Sequence, residues 1–129
     1  MKAARAIDVL NRTAEAVNWQ RRPSPNPQAR QGDLLVGRGI AYMRYKQAEN
    51  CVAMAMAMDV AVEPATGRIT VTRVTGAHDC GLVVNPDALK NQIEGCIVQT
   101  LSRALHEEVT FDRSRDERGL GELSDSALA

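Results

Sequence analysis

Alternation of large and small side chains over residues 51–62 is the clearest structural pattern in the sequence. The even positions carry only valine and methionine, whereas the odd positions carry a cysteine, an aspartate and alanines. A period of two predicts a β-strand with large side chains on one face and small ones on the other. An alanine-lined face allows a helix or a second sheet to approach closely, so we expect cover on both faces of this strand.

The residues after this strand predict a hairpin. Residues 63–67, Glu-Pro-Ala-Thr-Gly, form a tight turn, because proline presets φ at one turn position and Gly67 supplies a positive φ. The segment from Ile69 to Ala77 is rich in β-branched residues and predicts the returning strand. Leu34 to Tyr45 is apolar with two glycines and predicts a further strand.

Two segments have the spacing of amphipathic helices. Residues 1–19 predict an N-terminal helix with one apolar stripe, formed by Ala3, Ile7, Leu10, Ala14 and Val17. The longer helix begins after Asn85, a favourable N-cap, with Pro86 in the first turn and Asp87 at the positive end of the helix dipole. Its apolar face extends to about Glu107 and includes Leu89, Ile93, Ile97 and Leu101.

These elements together predict an α+β fold. We expect an N-terminal helix over residues 1–19 and an exposed connector over 20–33, in which Pro23, Pro25 and Pro27 forbid a regular helix or an interior strand. An α+β domain over residues 34–111 follows, with an antiparallel sheet covered by the long C-terminal helix and a short strand at residues 109–111. The charged residues 112–129 predict a flexible tail.

Charge and cysteine content limit the classes of function. Lys+Arg and Asp+Glu both number 16 in this 129-residue chain, so it lacks the basic surplus of a dedicated nucleic-acid binder. The zero net charge also leaves little self-repulsion, and we expect a homo-oligomer. No apolar run suggests a membrane partner, and Cys51, Cys80 and Cys96 match neither a disulfide framework nor zinc spacing, even with His78 nearby. We therefore expect a cytoplasmic protein with reduced thiols and no protein-ligated metal.

Three motifs in a fixed order resemble one family. They are the hairpin from Val60 to Val71, the run His78–Pro86 (HDCGLVVNP), and Asn91–Gln99 (NQIEGCIVQ) on the long helix. The ordered set is similar to the large subunit of the molybdenum hydroxylases, the xanthine dehydrogenase and aldehyde oxidase family, with the isoquinoline 1-oxidoreductase-type branch nearest. The resemblance spans about residues 36–111.

The resemblance implies a molybdopterin-type molybdenum cofactor and hydroxylation of aldehydes or N-heterocycles with oxygen from water. It places Gln92 beside the cofactor, with Asn85 and Gln99 ordering the pocket wall. An amide offers a donor and an acceptor to a pterin edge, although a helix glutamine satisfied by water or backbone is the alternative. Gly119–Glu122 matches the family's stretch around the catalytic glutamate, which makes Glu122 a candidate. It follows the helix too closely and lacks the usual proline, so coincidence through a shifted or truncated reading frame is the alternative.

Two hypotheses about function follow from the length, because members of the family are several times longer than this chain. In the first, the chain is a truncated hydroxylase domain that is inactive alone and complements partner chains carrying the rest, with or without a cofactor of its own. In the second, it is a non-enzymatic interaction module that keeps only the fold. Its exposed apolar faces would then be buried again by self-association through strand edges or the methionine row.

Overall fold

The computed structural model describes residues 2–47, 50–111 and 117–120. In chain order its elements are helix α1 (Lys2–Ala16), strands β1 (Arg30–Gln31), β2 (Leu34–Gln47), β3 (Asn50–Val62) and β4 (Ile69–Asp79), helix α2 (Pro86–Leu105), and strands β5 (Val109–Phe111) and β6 (Glu117–Leu120). These helices and antiparallel strands confirm the predicted α+β class. The chain divides into two compact units, Met1–Leu82 and Val83–Ala129.

The first unit contains an antiparallel sheet with the strand order β1-β2-β3-β4. The predicted hairpin between β3 and β4 is confirmed, with Val62 opposite Ile69. The Glu63 carbonyl oxygen accepts a hydrogen bond from the Gly67 N–H at 2.8 Å, and Thr66 Oγ1 donates to the Glu63 carboxylate at 2.6 Å. Gly67 has a φ of 75°, which explains why the turn requires glycine at this position.

Strand β1 lies in the segment that the sequence predicted as an irregular connector. Arg30 and Gln31 pair with the start of β2 through a two-residue turn, in which Gly32 has a φ of 60°. The Val36 N–H extends this ladder by donating to the Ala29 carbonyl oxygen at 2.7 Å. The three prolines precede this ladder, so the prediction is wrong only at the end of the connector.

Helix α1 packs on the alanine face of β3. Ala53, Ala55 and Ala57 are all buried there, and so are Val9 of the helix and Val17 just after its end. Because alanine side chains project only a methyl group from the strand, the helix backbone can approach closely enough to exclude water. The alanine-lined face of β3 thus accepts a helix, one of the two kinds of cover that the alternation in the sequence allowed for it.

The buried line of α1 differs from the predicted apolar stripe. Ile7 is 58% exposed, whereas Thr13 is 1% exposed and lies between Val9 and Val17 in the core. The Thr13 hydroxyl is within hydrogen-bond distance of two carbonyl oxygens, that of Val9 at 3.0 Å and that of Ala55 on β3 at 3.2 Å. Because the hydroxyl is hydrogen-bonded, it can occupy a buried position at which helical periodicity predicts an apolar side chain.

The C-terminus of α1 is closed by a Schellman motif and tied to the sheet by Arg38. Asn18 adopts a φ of 48°, and the Trp19 N–H donates to the Ala14 carbonyl oxygen at 2.8 Å. Arg38 Nη1 on β2 donates to the Val17 carbonyl oxygen at 2.6 Å, and the same guanidinium forms a two-point ion pair with Asp59 on β3. A cation at this end also complements the negative pole of the helix dipole.

The N-terminal part of α1 is tied to β4 by an ion pair between Arg5 and Asp79. The Asp79 carboxylate also accepts a hydrogen bond from the Gly81 N–H at 3.0 Å, the turn interaction expected from an aspartate before glycine. Two interactions lower the pKa of Asp79 to about 2: the larger effect comes from the Arg5 guanidinium and the smaller from the Gly81 N–H. An ion pair at one end and the Arg38 hydrogen bond to the Val17 carbonyl oxygen at the other therefore tie α1 to the sheet on either side of the alanine contact.

The face of the sheet opposite α1 carries the methionine row. Met54, Met56 and Met58 are half-buried there, and Met43, opposite Met54 on β2, is 56% exposed. In the first unit the helix that covers the sheet is α1, on the alanine face. Cover of the sheet by α2, which belongs to the second unit, stays a prediction.

The second unit contains α2 and the strand pair β5–β6. Val109–Phe111 forms the predicted short strand, and it pairs antiparallel with Glu117–Leu120. The sequence analysis did not predict β6, because its four residues contain two charges and a glycine and have no strand periodicity. No helix in the part of the chain that the structure covers combines the length and apolarity needed to cross a bilayer.

We predict that the Asp79→Asn substitution destabilises the fold in a pH-dependent way. The folded pKa of Asp79, about 2, lies below the ordinary aspartate pKa of 3.8, so its ion pair stabilises the protein above about pH 4. This contribution is lost as the pH falls through the folded value. Thermal unfolding followed by circular dichroism should show a difference in Tm between wild type and variant that shrinks steadily from pH 5 to pH 2.

The Asp8→Asn substitution is the matched control for this prediction. Asp8 pairs with Arg12 within the same helix, and both side chains are at least 60% exposed, so the pair contributes little. A difference in Tm that is as large for Asp8→Asn as for Asp79→Asn, or that does not change with pH, would contradict the role given to Asp79.

Candidate functional site

The three residues that the resemblance connects with a cofactor lie on helix α2 or at its start, where Asn85 is the N-cap. Asn85 has an extended backbone, and its Oδ1 accepts a hydrogen bond from the Ala88 N–H at 3.0 Å. Pro86 occupies the first turn and Asp87 adds a negative charge there, as the sequence predicted. The Asn85 side chain therefore caps the helix, which leaves its NH₂ group and the second lone pair of its Oδ1 for another partner.

Gln92 and Gln99 lie on one polar stripe of α2. They are seven residues apart, two helical turns, so they share a direction and are separated by about 10.5 Å along the axis. Both side chains are exposed, and Gln92 Nε2 lies 3.6 Å from Cys96 Sγ between them. The weak thiol contact leaves most of the hydrogen-bonding capacity of both amides available.

Gly95 borders this polar stripe, and a side chain there would meet open space. A Cβ built on Gly95 has no heavy atom within 4 Å, although glycine in a helix interior costs about 1 kcal/mol relative to alanine. No contact among the described residues therefore requires a glycine. Because Gly95 has no side chain, a flat ligand or the backbone of another segment can approach the helix closely beside the two amides.

The apolar stripe of α2 lies next to the polar one. The helix has no fully buried residue. The stripe consists of five half-buried side chains: Leu89, Ile93, Ile97, Leu101 and Leu105. An amphipathic helix with this pattern offers an apolar side for packing and a polar side for binding. The two amides and the open glycine have the donors, acceptors and flat access that a pterin edge requires, so these residues fit a molybdopterin-type cofactor.

The other residues weighed in the sequence are the catalytic candidate Glu122 and the set whose spacing did not support a metal site. Glu122 lies outside the described residues. His78, Cys51 and Cys80 belong to the first unit, and all three cysteines of the chain are free thiols. Across residues 2–47, 50–111 and 117–120, no group of three or more His, Cys, Asp or Glu side chains is arranged to hold a metal ion.

The sequence analysis missed a set of arginines that line a cleft in the first unit: Arg21, Arg22, Arg38 and Arg73. Only the adjacent pair at residues 21 and 22 gives a local signal in the sequence. The other two come from β2 and β4, and the pairing of β3 with both strands brings them to one face. No periodicity within a single segment could have revealed this cluster.

Comparison with known proteins gives a consistent family. The Molybdopterin cofactor-binding domain family matches residues 44–123, which include α2 and most of the sheet. A nicotinate dehydrogenase chain of Pseudomonas putida is 42% identical over 114 residues, covering 85% of this chain and 10% of the relative. No solved structure matches the chain.

Two further relatives extend this comparison. The beta chain of isoquinoline 1-oxidoreductase from Brevundimonas diminuta is 36% identical over 105 residues, covering 81% of this chain and 12% of the relative. The large subunit of nicotine 6-hydroxylase from Paenarthrobacter nicotinovorans is 34% identical over 58 residues, covering 45% of this chain and 7% of the relative. The chain thus spans about a tenth of the length of the curated relatives that it matches.

We predict that Asn85→Ala destabilises α2 by about 1 kcal/mol, because the N-cap bond to the Ala88 N–H is lost. Asn91→Ala is the matched control, since Asn91 is exposed within the helix and alanine is the better helix former there. Hydrogen exchange of the first-turn amides of α2 should accelerate in the first variant and not in the second. Equal acceleration in both would contradict the capping role.

Proposed function

Because this chain belongs to the Molybdopterin cofactor-binding domain family, we propose that it supplies one wall of a molybdenum cofactor site. The single observation that carries this proposal is the polar stripe of α2, where Gln92 and Gln99 flank the open backbone at Gly95. On this proposal the two amides bind and orient the pterin edge, and the capped helix start at Asn85 keeps the stripe in place.

The cofactor, when bound, supplies the molybdenum chemistry of hydroxylation. The residues of this chain hold the ligand: each glutamine donates through its NH₂ group and accepts through its oxygen. The neighbouring apolar stripe, with Ile93 and Ile97, excludes water from the wall and strengthens those hydrogen bonds.

We propose that the rest of the site comes from parts of a hydroxylase that this sequence does not include. The chain covers about a tenth of its relatives, so we expect no turnover by the chain alone. Nicotinate, nicotine and isoquinoline, named in three relatives, are all N-heterocycles, whereas a fourth relative, from Gluconacetobacter polyoxogenes, is named as an aldehyde dehydrogenase. We therefore propose an N-heterocycle as the substrate class, with an aldehyde as the alternative. Glu122 stays the candidate catalytic base, and the cytoplasmic location stays a prediction supported by the three free thiols.

We predict that the double substitution Gln92→Ala and Gln99→Ala lowers cofactor affinity roughly tenfold or more, since several neutral hydrogen bonds are lost. The chain is purified from a host that makes the cofactor, together with any hydroxylase chains that neighbouring reading frames encode. Molybdenum and pterin are then counted per chain. Glu94→Gln, which changes an exposed side chain on the opposite side of α2, should leave the loading unchanged.

The outcomes of this experiment separate the parts of the proposal. Full loading of the double variant would contradict the role of the polar stripe, and absence of molybdenum from the wild-type assembly would contradict cofactor binding. Stoichiometric molybdenum in the isolated chain, with turnover that is lost in Glu122→Gln, would contradict the expected inactivity of the chain alone.

The methionine face of the sheet supports the proposal of partner chains. Met43 and Tyr45 on β2 are each 56% exposed there, an unusual surface for large apolar side chains. His78 Nδ1, on the same face opposite Met54, is buried and has no hydrogen-bond partner among the described residues. We propose that the partner chains cover this face in the assembly, and that a second copy covers it when they are absent.

We predict that Met43→Lys shifts the isolated chain from dimer or higher oligomer to monomer, because a charge in a buried interface is costly. Val98→Lys is the matched control: Val98 is 59% exposed on α2 and lies outside this face. Sedimentation equilibrium of both variants and the wild type provides the measurement. A monomeric wild-type chain would contradict self-association through the methionine face.

A further inference from the structure

A cleft of about 850 Å³ opens on the alanine face of the sheet, where α1 ends. Its floor is formed by β2, β3 and β4, at Arg38, Asp59 and Arg73, and the connector after α1 forms the opposite wall. A second cavity of about 380 Å³ adjoins it and shares Arg38 and Trp19 with it. The larger volume is in the range of small-molecule binding sites.

The lining of this cleft is strongly basic. It contains four arginines and a single carboxylate, that of Asp59. The Arg38 guanidinium engages both oxygens of that carboxylate, one of them at 2.7 Å, and lowers the pKa of Asp59. Among the described residues, Arg21, Arg22 and Arg73 have no carboxylate within 4.0 Å, so three positive charges lack a direct ion pair.

Two side chains at the wall have defined positions. Arg22 Nη2 donates to the Arg38 carbonyl oxygen at 3.1 Å, which holds its guanidinium against β2. Trp19 follows the Schellman motif of α1, and the Trp19 N–H bond to Ala14 anchors its backbone. Trp19 is 36% exposed in the cleft lining and offers an aromatic face beside the arginines.

We propose that this cleft binds a small organic anion that carries at least two negative charges on a planar ring. The three unmatched guanidiniums provide paired donors for phosphate or carboxylate oxygens, which arginine binds in a bidentate manner. Trp19 provides the stacking surface for the ring. None of these residues lies on α2, which carries the proposed cofactor wall.

The test uses the fluorescence of Trp19, the only tryptophan in the chain. The full chain is titrated at low salt with phenyl phosphate and with phthalate, which present the two anion types on a ring. Inorganic phosphate and phenol supply the charge and the ring separately. We expect at least one ring anion to quench the fluorescence saturably, with a Kd at least tenfold lower than that of inorganic phosphate or phenol. High salt should raise this Kd. The tighter of the two identifies the preferred anion.

Substitutions locate the site. Arg73→Gln and Arg21→Gln should each weaken binding of the preferred ring anion at least fivefold, whereas Arg103→Gln, which removes a positive charge from the last turn of α2, should not. Circular dichroism checks that each variant is folded, and calorimetry with Trp19→Phe measures the binding without the fluorophore. Absence of binding by both ring anions, or equal weakening by all three arginine substitutions, would overturn the proposal.

Discussion

The contact between α1 and the alanine face of β3 is the constraint on which the first unit depends. A helix can approach a strand closely only where side chains are short, and Ala53, Ala55 and Ala57 provide that space. The approach brings the Thr13 hydroxyl within 3.2 Å of the Ala55 carbonyl oxygen, so a polar group becomes part of the core contact. A larger side chain at Ala55 would remove both the packing and this hydrogen bond.

The same contact determines where charges lie and where the sheet stays open. Arg5 with Asp79, and Arg38 with the Val17 carbonyl oxygen, join the helix to the sheet on either side of the alanine contact. The helix ends before the sheet does, so the sheet beyond Val17 stays uncovered and becomes the floor of the arginine-lined cleft. A packing requirement thus creates a concave, basic surface that no single segment encodes.

Local patterns predicted much of the fold and part of the candidate site. The alternation in β3, the turn ending at Gly67 and the helix start at Asn85 each depend on residues close in sequence, and each is confirmed. The stripe of α1 was predicted only in part: Val17 is buried as expected, but the burial of Thr13 depends on the close approach of β3, whose Ala55 carbonyl oxygen is 42 residues away in the sequence. Gln92 and Gln99 were identified by resemblance, and their common stripe follows from helical geometry.

The sequence by itself determined the strands of the hairpin, the limits of α2 and the family, because short-range φ preferences, side-chain periodicity and an ordered set of motifs are local properties. Only the tertiary structure decided that Thr13 is buried and that Arg38 joins the helix end to Asp59. It also decided that arginines from the connector, β2 and β4 meet in one cleft. Those contacts depend on strand register and on how closely the helix approaches, which are set by the packing of residues far apart in the chain.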